Sequence, residues 1–336
     1  MKFRIGIALF AVYVIWGSTY LAISIAVRTM PPFMMAGTRF LVAGLILYLW
    51  QRLRGVRPPS RLEWRSAAIV AVFMLVGGNG VLTWAEQYVP SGIAALLVGS
   101  VPLWMALIDA LVIPGTGTPL APLAFIQRIG KPLIGGTARG RPNWLSWLGL
   151  LTGFAGIALL IGPEAIQPDT GNQELFGLVV LLLASLSWSI GSLYSRGARL
   201  PAAPLMGTGM EMLVASLGFA LLAVLNGEWN RFEPAAISSA SLIALGYLVI
   251  FGGLIGFVAY TWLLRNVATP VVATHAYVNP LIAILLGSLL AQEPLTPRIL
   301  FSAAVIVGSV VLISLARSLP SRRSEDFALE PAAGDD

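Results

Sequence analysis

The sequence predicts an all-α integral membrane protein with ten transmembrane helices, arranged as two inverted five-helix repeats. Three observations carry that expectation. First, the chain is 57% apolar and only 11% charged, against roughly 25% charged in soluble domains. With a mean hydropathy of +0.84, a soluble fold is excluded. Second, Ile5–Ala26, Phe33–Leu49, Ala67–Tyr88, Gly92–Ile113, Leu145–Ile161, Leu175–Tyr194, Leu205–Leu225, Leu242–Leu264, Val271–Ala291 and Ile299–Leu315 each approach the ~17 to 25 residues that cross hydrocarbon. Third, landmarks recur at constant spacing. Trp16 falls on Trp188, Pro32 on Pro204, Gly37 on Gly209 and Ala43 on Ala215. A second constant offset then pairs Phe73 with Phe251, Gly78 with Gly256, Trp84 with Trp262 and Pro102 with Pro280. An odd number of spans per repeat makes the second repeat enter the bilayer from the opposite side, as in secondary transporters.

The elements follow in order. Lys2 and Arg4 before an apolar run, with Ser24-Ile25-Ala26 behind it, resemble a signal peptide. The match of Trp16 to Trp188 argues that the span is retained. The second helix carries Arg39. The third contains the cluster Gly77-Gly78-Asn79-Gly80 and ends at Glu86. The fourth holds Pro102 and, late, Asp109. An insertion at about 115–140, absent from the second repeat, is rich in Gly, Pro and Thr and holds Arg128, Lys131 and Arg139. It reads as a cytoplasmic loop, with Leu120, Leu123, Phe125, Ile126 and Ile129 as an alternative apolar face for an anionic leaflet.

The fifth and tenth helices have no ionisable residue in their apolar runs and are expected at the periphery, bracing the rest or forming a homodimer with a second copy. Gly149 with Gly153, Gly252 with Gly256, and Ala304 with Gly308 supply small faces for close helix approach. Glu211 lies on the seventh helix, and the ninth carries His275, Tyr277, Asn279 and Pro280. Thr296 is expected to cap the tenth helix, with Pro297 in its first turn and Glu293 in helix-end chemistry. The domains are therefore a first repeat over 1–162, a second over 173–317, and a disordered cytoplasmic tail over 318–336 that lacks the apolar surface to fold.

Basic residues sort to one side. Loops that should share a face carry Lys2, Arg4, Arg52, Arg54, Arg57, Arg61, Arg65, Arg196, Arg199, Arg265 and Arg317, whereas the other face has only Arg28, Arg231 and Arg298. By the positive-inside rule both termini are cytoplasmic. The same sorting ties the basic pI to topology and not to nucleic acid. Cysteine is absent, so no disulfide framework or thiolate metal site exists, and no metal or cofactor is expected.

Ionisable groups within the bilayer cost roughly 2.5 to 3.5 kcal/mol each, so those retained should face a partner or a wet cavity. Arg39 and Glu211 are repeat equivalents of opposite charge. They read either as a structural ion pair or as contacts for an anionic group and an amine of one solute. Glu86 reads as a headgroup-level residue or, with Glu211 and His275, as a proton-coupling candidate. Asp109 reads as structural. Trp16-Gly17-Ser18-Thr19-Tyr20 and Trp188-Ser189, with Ser192 and Tyr194, set hydroxyls beside large rings, as a pocket for an amphipathic solute needs. The predicted substrate-binding set is Trp16, Ser18, Thr19, Tyr20, Arg39, Asn79, Trp84, Trp188, Glu211, His275, Tyr277 and Asn279, with Pro102 and Pro280 as symmetric hinges. No catalytic residue is expected: one histidine, no cysteine and no close pair of intramembrane carboxylates leave an enzyme without a nucleophile or an acid–base pair.

Trp16-Gly17-Ser18-Thr19-Tyr20, Arg39-Phe40-Leu41, the run Tyr88 to Leu97, Val101-Pro102-Leu103-Trp104, Asn279-Pro280-Leu281 and Gln292 to Pro297 resemble the EamA family of the drug/metabolite transporter superfamily over about residues 1–317. The resemblance implies a ten-helix inner-membrane carrier, often an exporter of amino acids or other metabolites, with a central cavity lined by helices one to four and six to nine. One departure stands out. The family commonly has an acidic residue after the fourth helix as well as after the ninth, and here Gly115 leaves Glu293 without a counterpart. The expected activity is alternating access for a small amphipathic or zwitterionic metabolite, with membrane lipids as the surround. A carrier of phosphorylated or nucleotide sugars and a non-transporting scaffold are the alternatives.

Overall fold

The computed structural model describes residues 1–111, 144–162, 172–267, 269–272 and 274–318. The insertion expected at 115–140 and the tail beyond residue 318 lie outside them, as does the side chain of Asp109. The described residues form helices and no strand: α1 Lys2–Ala26, α2 Pro32–Leu53, α3 Arg61–Ala85, α4 Ser91–Val98, α5 Val101–Leu111, α6 Trp144–Ile161, α7 Asn172–Gly197, α8 Pro204–Leu225, the short α9 Glu228–Arg231, α10 Ser239–Asn266, α11 Thr269–Val272, α12 His275–Ala291 and α13 Pro297–Ser318. Among the described residues nine stretches are long and apolar enough to span a bilayer, with α4 and α5 counted together, and α12 is a shorter apolar helix of 17 residues.

Local chemistry sets several boundaries. Ser60 and Glu63 close a reciprocal capping box on α3, with the Glu63 carboxylate also taking Arg57 Nη2 at 2.6 Å. Ser238 Oγ accepts the Ser241 amide at 3.1 Å to start α10. As expected, Thr296 Oγ1 accepts the Ile299 amide at 3.2 Å and Pro297 opens α13. Such side-chain acceptors satisfy first-turn amides that have no partner within the helix.

The halves interlock. Equivalent helices meet directly, α2 on α8, α6 on α13 and α4 on α12. The remaining contacts come in matched pairs: α1 packs on α10 and α12, and its equivalent α7 packs on α3, α4 and α5. Trp16 and Trp188 repeat this match at the atomic level. A methyl on Gly256 would lie 2.5 Å from Trp16 Nε1, and one on the equivalent Gly78 would lie 2.8 Å from Trp188 Cε3. Each indole is thus seated against a bare backbone in the opposite half.

The two glycine clusters do more than flex. Ala71–Gly80 within α3 and Leu248–Ile255 within α10 are π-helical, so the helix is widened at corresponding places in both halves. Such segments are uncommon and concentrate at functional sites. The small faces expected for helix packing divide in use. A methyl on Gly149 would lie 2.7 Å from Ile313 and one on Gly156 would lie 2.9 Å from Val305, so that face of α6 is filled by α13 of the same chain. Gly308, by contrast, has open space around it. Gly252 and Gly256 admit side chains of α1 and α2 in place of a helix face.

The kinks expected at Pro102 and Pro280 are not symmetric. The fourth span is broken at Gly99 and Ser100, which leaves Pro102 in the first turn of α5. Pro280 lies inside α12, and its span is interrupted earlier, between α11 and α12. A proline in a first turn removes an amide that has no helical partner, whereas an interior proline deletes a ladder bond. The two sites nonetheless meet, since a methyl on Gly99 would lie 3.1 Å from Pro280 Cγ.

Candidate functional site

Arg39 is the organising residue. It projects from α2 and is 4% exposed, yet Nε and Nη1 have no hydrogen-bond partner. Its guanidinium reaches the π segment of α10, where a methyl on Gly252 would lie 3.1 Å from both Nη2 and the Thr19 methyl. A side chain at 252 would crowd that approach, and both neighbours would have to give by a few tenths of an ångström. The charged group also lies 4.9 Å from the Phe40 ring centroid, and Phe40 stacks on Phe219 of α8. A cation over an aromatic face is favoured, but that contact leaves the N–H edge unused.

Glu86 completes the electrostatics. It follows α3 directly and is 5% exposed, and neither carboxylate oxygen makes a well-formed hydrogen bond among the described residues, the Ser24 backbone making the weakest of its polar interactions. Arg39, Tyr20 and Glu293 all interact with it electrostatically. The structure therefore buries Glu86 within the protein. Two more buried acceptors stand unmatched: Oδ1 of Asn79 on the π segment of α3, and Oδ1 of Asn279, a residue 7% exposed on α12. More than nine in ten buried polar groups are normally satisfied. Four side chains with orphaned atoms thus lie on three helices and a helix end, and Trp104 Nε1 and Ser302 Oγ are likewise unmatched.

Around them lie the other predicted residues. Ser18 Oγ shares a 2.6 Å hydrogen bond with Tyr247 OH, and Thr19 Oγ1 donates to the Trp16 carbonyl at 2.6 Å. His275 sits 5.3 Å from Trp16 and 5.5 Å from Tyr260, ring to ring. Its Nδ1 lies 2.9 Å from the Val272 carbonyl, so that nitrogen donates and Nε2 is the acceptor. Tyr13 and Thr274 hydrogen-bond beside this aromatic group. Tyr277 packs into the main apolar core.

Other candidates stand apart from this grouping. Glu211 is half-buried on α8, and no ion pair or hydrogen bond joins it to Arg39 among the described residues; the Arg39–Glu211 ion pair is not formed. Trp84 packs with Tyr88 and Phe176 near the end of α3. Trp188 faces Gly78. Sequence reasoning missed Gly252, Tyr247 and Tyr260. The repeated glycine cluster was the signal for the first; nothing local marks the two tyrosines.

Comparison with known proteins agrees with the architecture. The EamA-like transporter family matches residues 4–126 and 175–315, once in each half. The inner membrane transporter YedA of Escherichia coli (strain K12), described as uncharacterized, is 37% identical over 313 residues, covering 93% of this chain and 91% of that protein. The uncharacterized transporter YoaV of Bacillus subtilis (strain 168) is 23% identical over 90% of this chain and 94% of its own. A solved crystal structure superposes with a TM-score of 0.58 at 20% identity, covering 93% of this chain and 98% of that one, which speaks to fold alone. By the two family matches and the extent of its likeness to YedA, the chain is a multi-pass membrane protein that belongs to the EamA-like transporter family.

Proposed function

We propose that the chain exports a small amphipathic or zwitterionic metabolite across the inner membrane by alternating access, with the cargo held at the centre organised by Arg39. The observation that carries this reading is a buried guanidinium and a buried carboxyl group whose polar edges are left without well-formed hydrogen bonds: Nε and Nη1 of Arg39, and both oxygens of Glu86. A structural ion pair would spend those edges on each other. Here they are left for an anionic and a cationic group of one solute, with Thr19 and Asn279 as neutral contacts and Trp16 as an apolar wall. Glu86 takes the role that symmetry suggested for Glu211. Proton coupling is assigned to the same Glu86, with Glu211 and His275 as further carriers.

The matched pairing of helices across the halves and the π segments at corresponding places support two inverted repeats that rock about this centre. Pairing of α6 with α13 within one chain leaves their outer faces, with Leu151 and Phe301 exposed, as the surface for lipid or for a homodimer. A carrier of phosphorylated sugars would need several buried cations; among the described residues Arg39 is the buried one.

The test begins with a thermal-shift screen of the purified protein against metabolites, followed by efflux of any hit from proteoliposomes. Arg39→Ala and Glu86→Gln should each remove the ligand-induced shift and the flux. Unaltered flux in both variants would move the site elsewhere.

A further inference from the structure

Two helices of the first half are not capped by their own sequence. The N-cap residues of α2 and α4 are Pro31 and Pro90, which offer no side-chain acceptor. In both cases the acceptor comes from the second half. Glu228, 1% exposed, accepts the amides of Phe33 at 3.1 Å and Met34 at 2.9 Å. Glu293 accepts the Ser91 amide at 2.8 Å, the Ser91 hydroxyl at 2.7 Å and the Gly92 amide at 3.0 Å. A carboxylate at a helix N-terminus is favoured by both the free amides and the helix dipole.

These contacts share one end of the bundle. The same end holds a third tie between the halves, where Thr29 Oγ1 accepts the Ser238 amide at 3.0 Å and donates to Ser241 Oγ at 2.8 Å. Ser241 Oγ in turn donates to the Ile25 carbonyl at 3.0 Å. Helices α3, α10 and α13 are capped locally by Ser60, Ser238 and Thr296, whereas α1 and α12 have no side-chain cap. The equivalent of α2 at the opposite end, α8, has Ala203 as N-cap and no side-chain cap. The glycines around Glu293 are fitted to it, since a methyl on Gly287 would collide with Oε2 and one on Gly92 would sit 3.4 Å from it.

We propose that Glu228 and Glu293 are the latches of a gate, together closing the same end of the pathway, each by capping a helix of the opposite half. The proposal rests on the alternating-access reading above. Opening this mouth requires both carboxylates to leave their amides. Glu293 also acts electrostatically on Glu86, so release of the latch would alter the charge environment of the proposed cargo site.

The test exploits a chain without cysteine. Ala94 is fully buried, one turn inside the Ser91 cap. The full chain carrying Ala94→Cys is exposed to an impermeant maleimide in right-side-out and in inside-out vesicles. From the latch side, Glu228→Gln with Glu293→Gln should speed labelling by about tenfold, the factor expected when charge-assisted bonds are weakened. Gly287→Ala, which displaces Glu293 while keeping both carboxylates, should act in the same direction, and Gly308→Ala should leave the rate unchanged. The hydroxyls of Thr29 and Ser238 lie 3.4 Å apart, so the pair Thr29→Cys with Ser238→Cys should form a disulfide readily in the parent and more slowly in the latch variants. Unchanged labelling and unchanged crosslinking in a folded double variant would overturn the proposal. Should the double variant misfold, an unaltered rate in Gly287→Ala overturns it equally. Neither readout uses the metabolite, so failure to find a cargo would count against the transport reading and not against the latch.

Discussion

Arg39 and Glu86 are expensive residues for the fold, and that expense identifies them. Each is at least 95% buried with hydrogen-bonding atoms unmatched, and an unsatisfied buried polar group costs about 1–3 kcal/mol, more when charged. A residue held for stability would not be left so. Replacing Arg39 by methionine is therefore expected to leave the unliganded protein as stable as the parent, or more stable by about 1 kcal/mol, while abolishing the thermal shift produced by cargo. Thermal unfolding in detergent checks both halves of that statement. A loss of several kcal/mol without ligand would make Arg39 structural. Arg39 is legible in the sequence, because a lone cation in an apolar run has few explanations. Glu86 is not, because Gln87, Tyr88 and Pro90 follow it and give it the look of a headgroup residue. Its burial comes from α1 and the end of α12, which are distant in sequence. Glu228 was hidden for a similar reason: its partners are the amides of Phe33 and Met34, and only the proline at the N-cap of α2 hints that an acceptor must arrive from elsewhere.

At the scale of elements, helix extents follow from apolar length and caps, and both are local. Lys2–Ala26, Pro204–Leu225 and Pro297–Ser318 lie within a few residues of the apolar runs that predict them. Breaks and widenings are another matter. Pro102 and Pro280 look alike in sequence, but the structure breaks one span at Gly99 and the other before His275. The π segments were foreshadowed only by glycines. Two predictions belong here. Gly78→Ala and Gly256→Ala should each destabilise by about 1–3 kcal/mol through overpacking against Trp188 and Trp16, whereas Gly308→Ala, with open space around it, should be near neutral; chemical or thermal unfolding of the three variants separates them. Amides in Ala71–Gly80 and Leu248–Ile255 should exchange with solvent deuterium faster than those of α2 and α8, because a π turn offers poorer ladder geometry. Protection equal to α2 would show that these segments do not open.

Across the whole molecule, duplication is the feature that sequence alone reveals best. Constant spacing between Trp16 and Trp188, and between Gly78 and Gly256, becomes in three dimensions two equivalent indole-on-glycine contacts that cross between the halves. Differences between the halves are what the spacing hides: among the described residues the carboxylate caps of Glu228 and Glu293 run from the second half to the first. Charge divides the ends as well. The basic residues gather where α1 begins, α2 ends and α7 ends, while Glu228 and Glu293, the proposed latches, occupy the opposite end, which on the positive-inside expectation would face away from the cytoplasm. The proposed alternating access requires that one central site be exposed to each face in turn. A single cysteine at Thr19, beside Arg39 and Gly252 in a chain with no other cysteine, measures that directly. The account predicts that Thr19→Cys reacts with an impermeant maleimide applied from either face of the membrane, and that cargo slows both reactions. Reaction from one face only under every condition, or from neither, would contradict it.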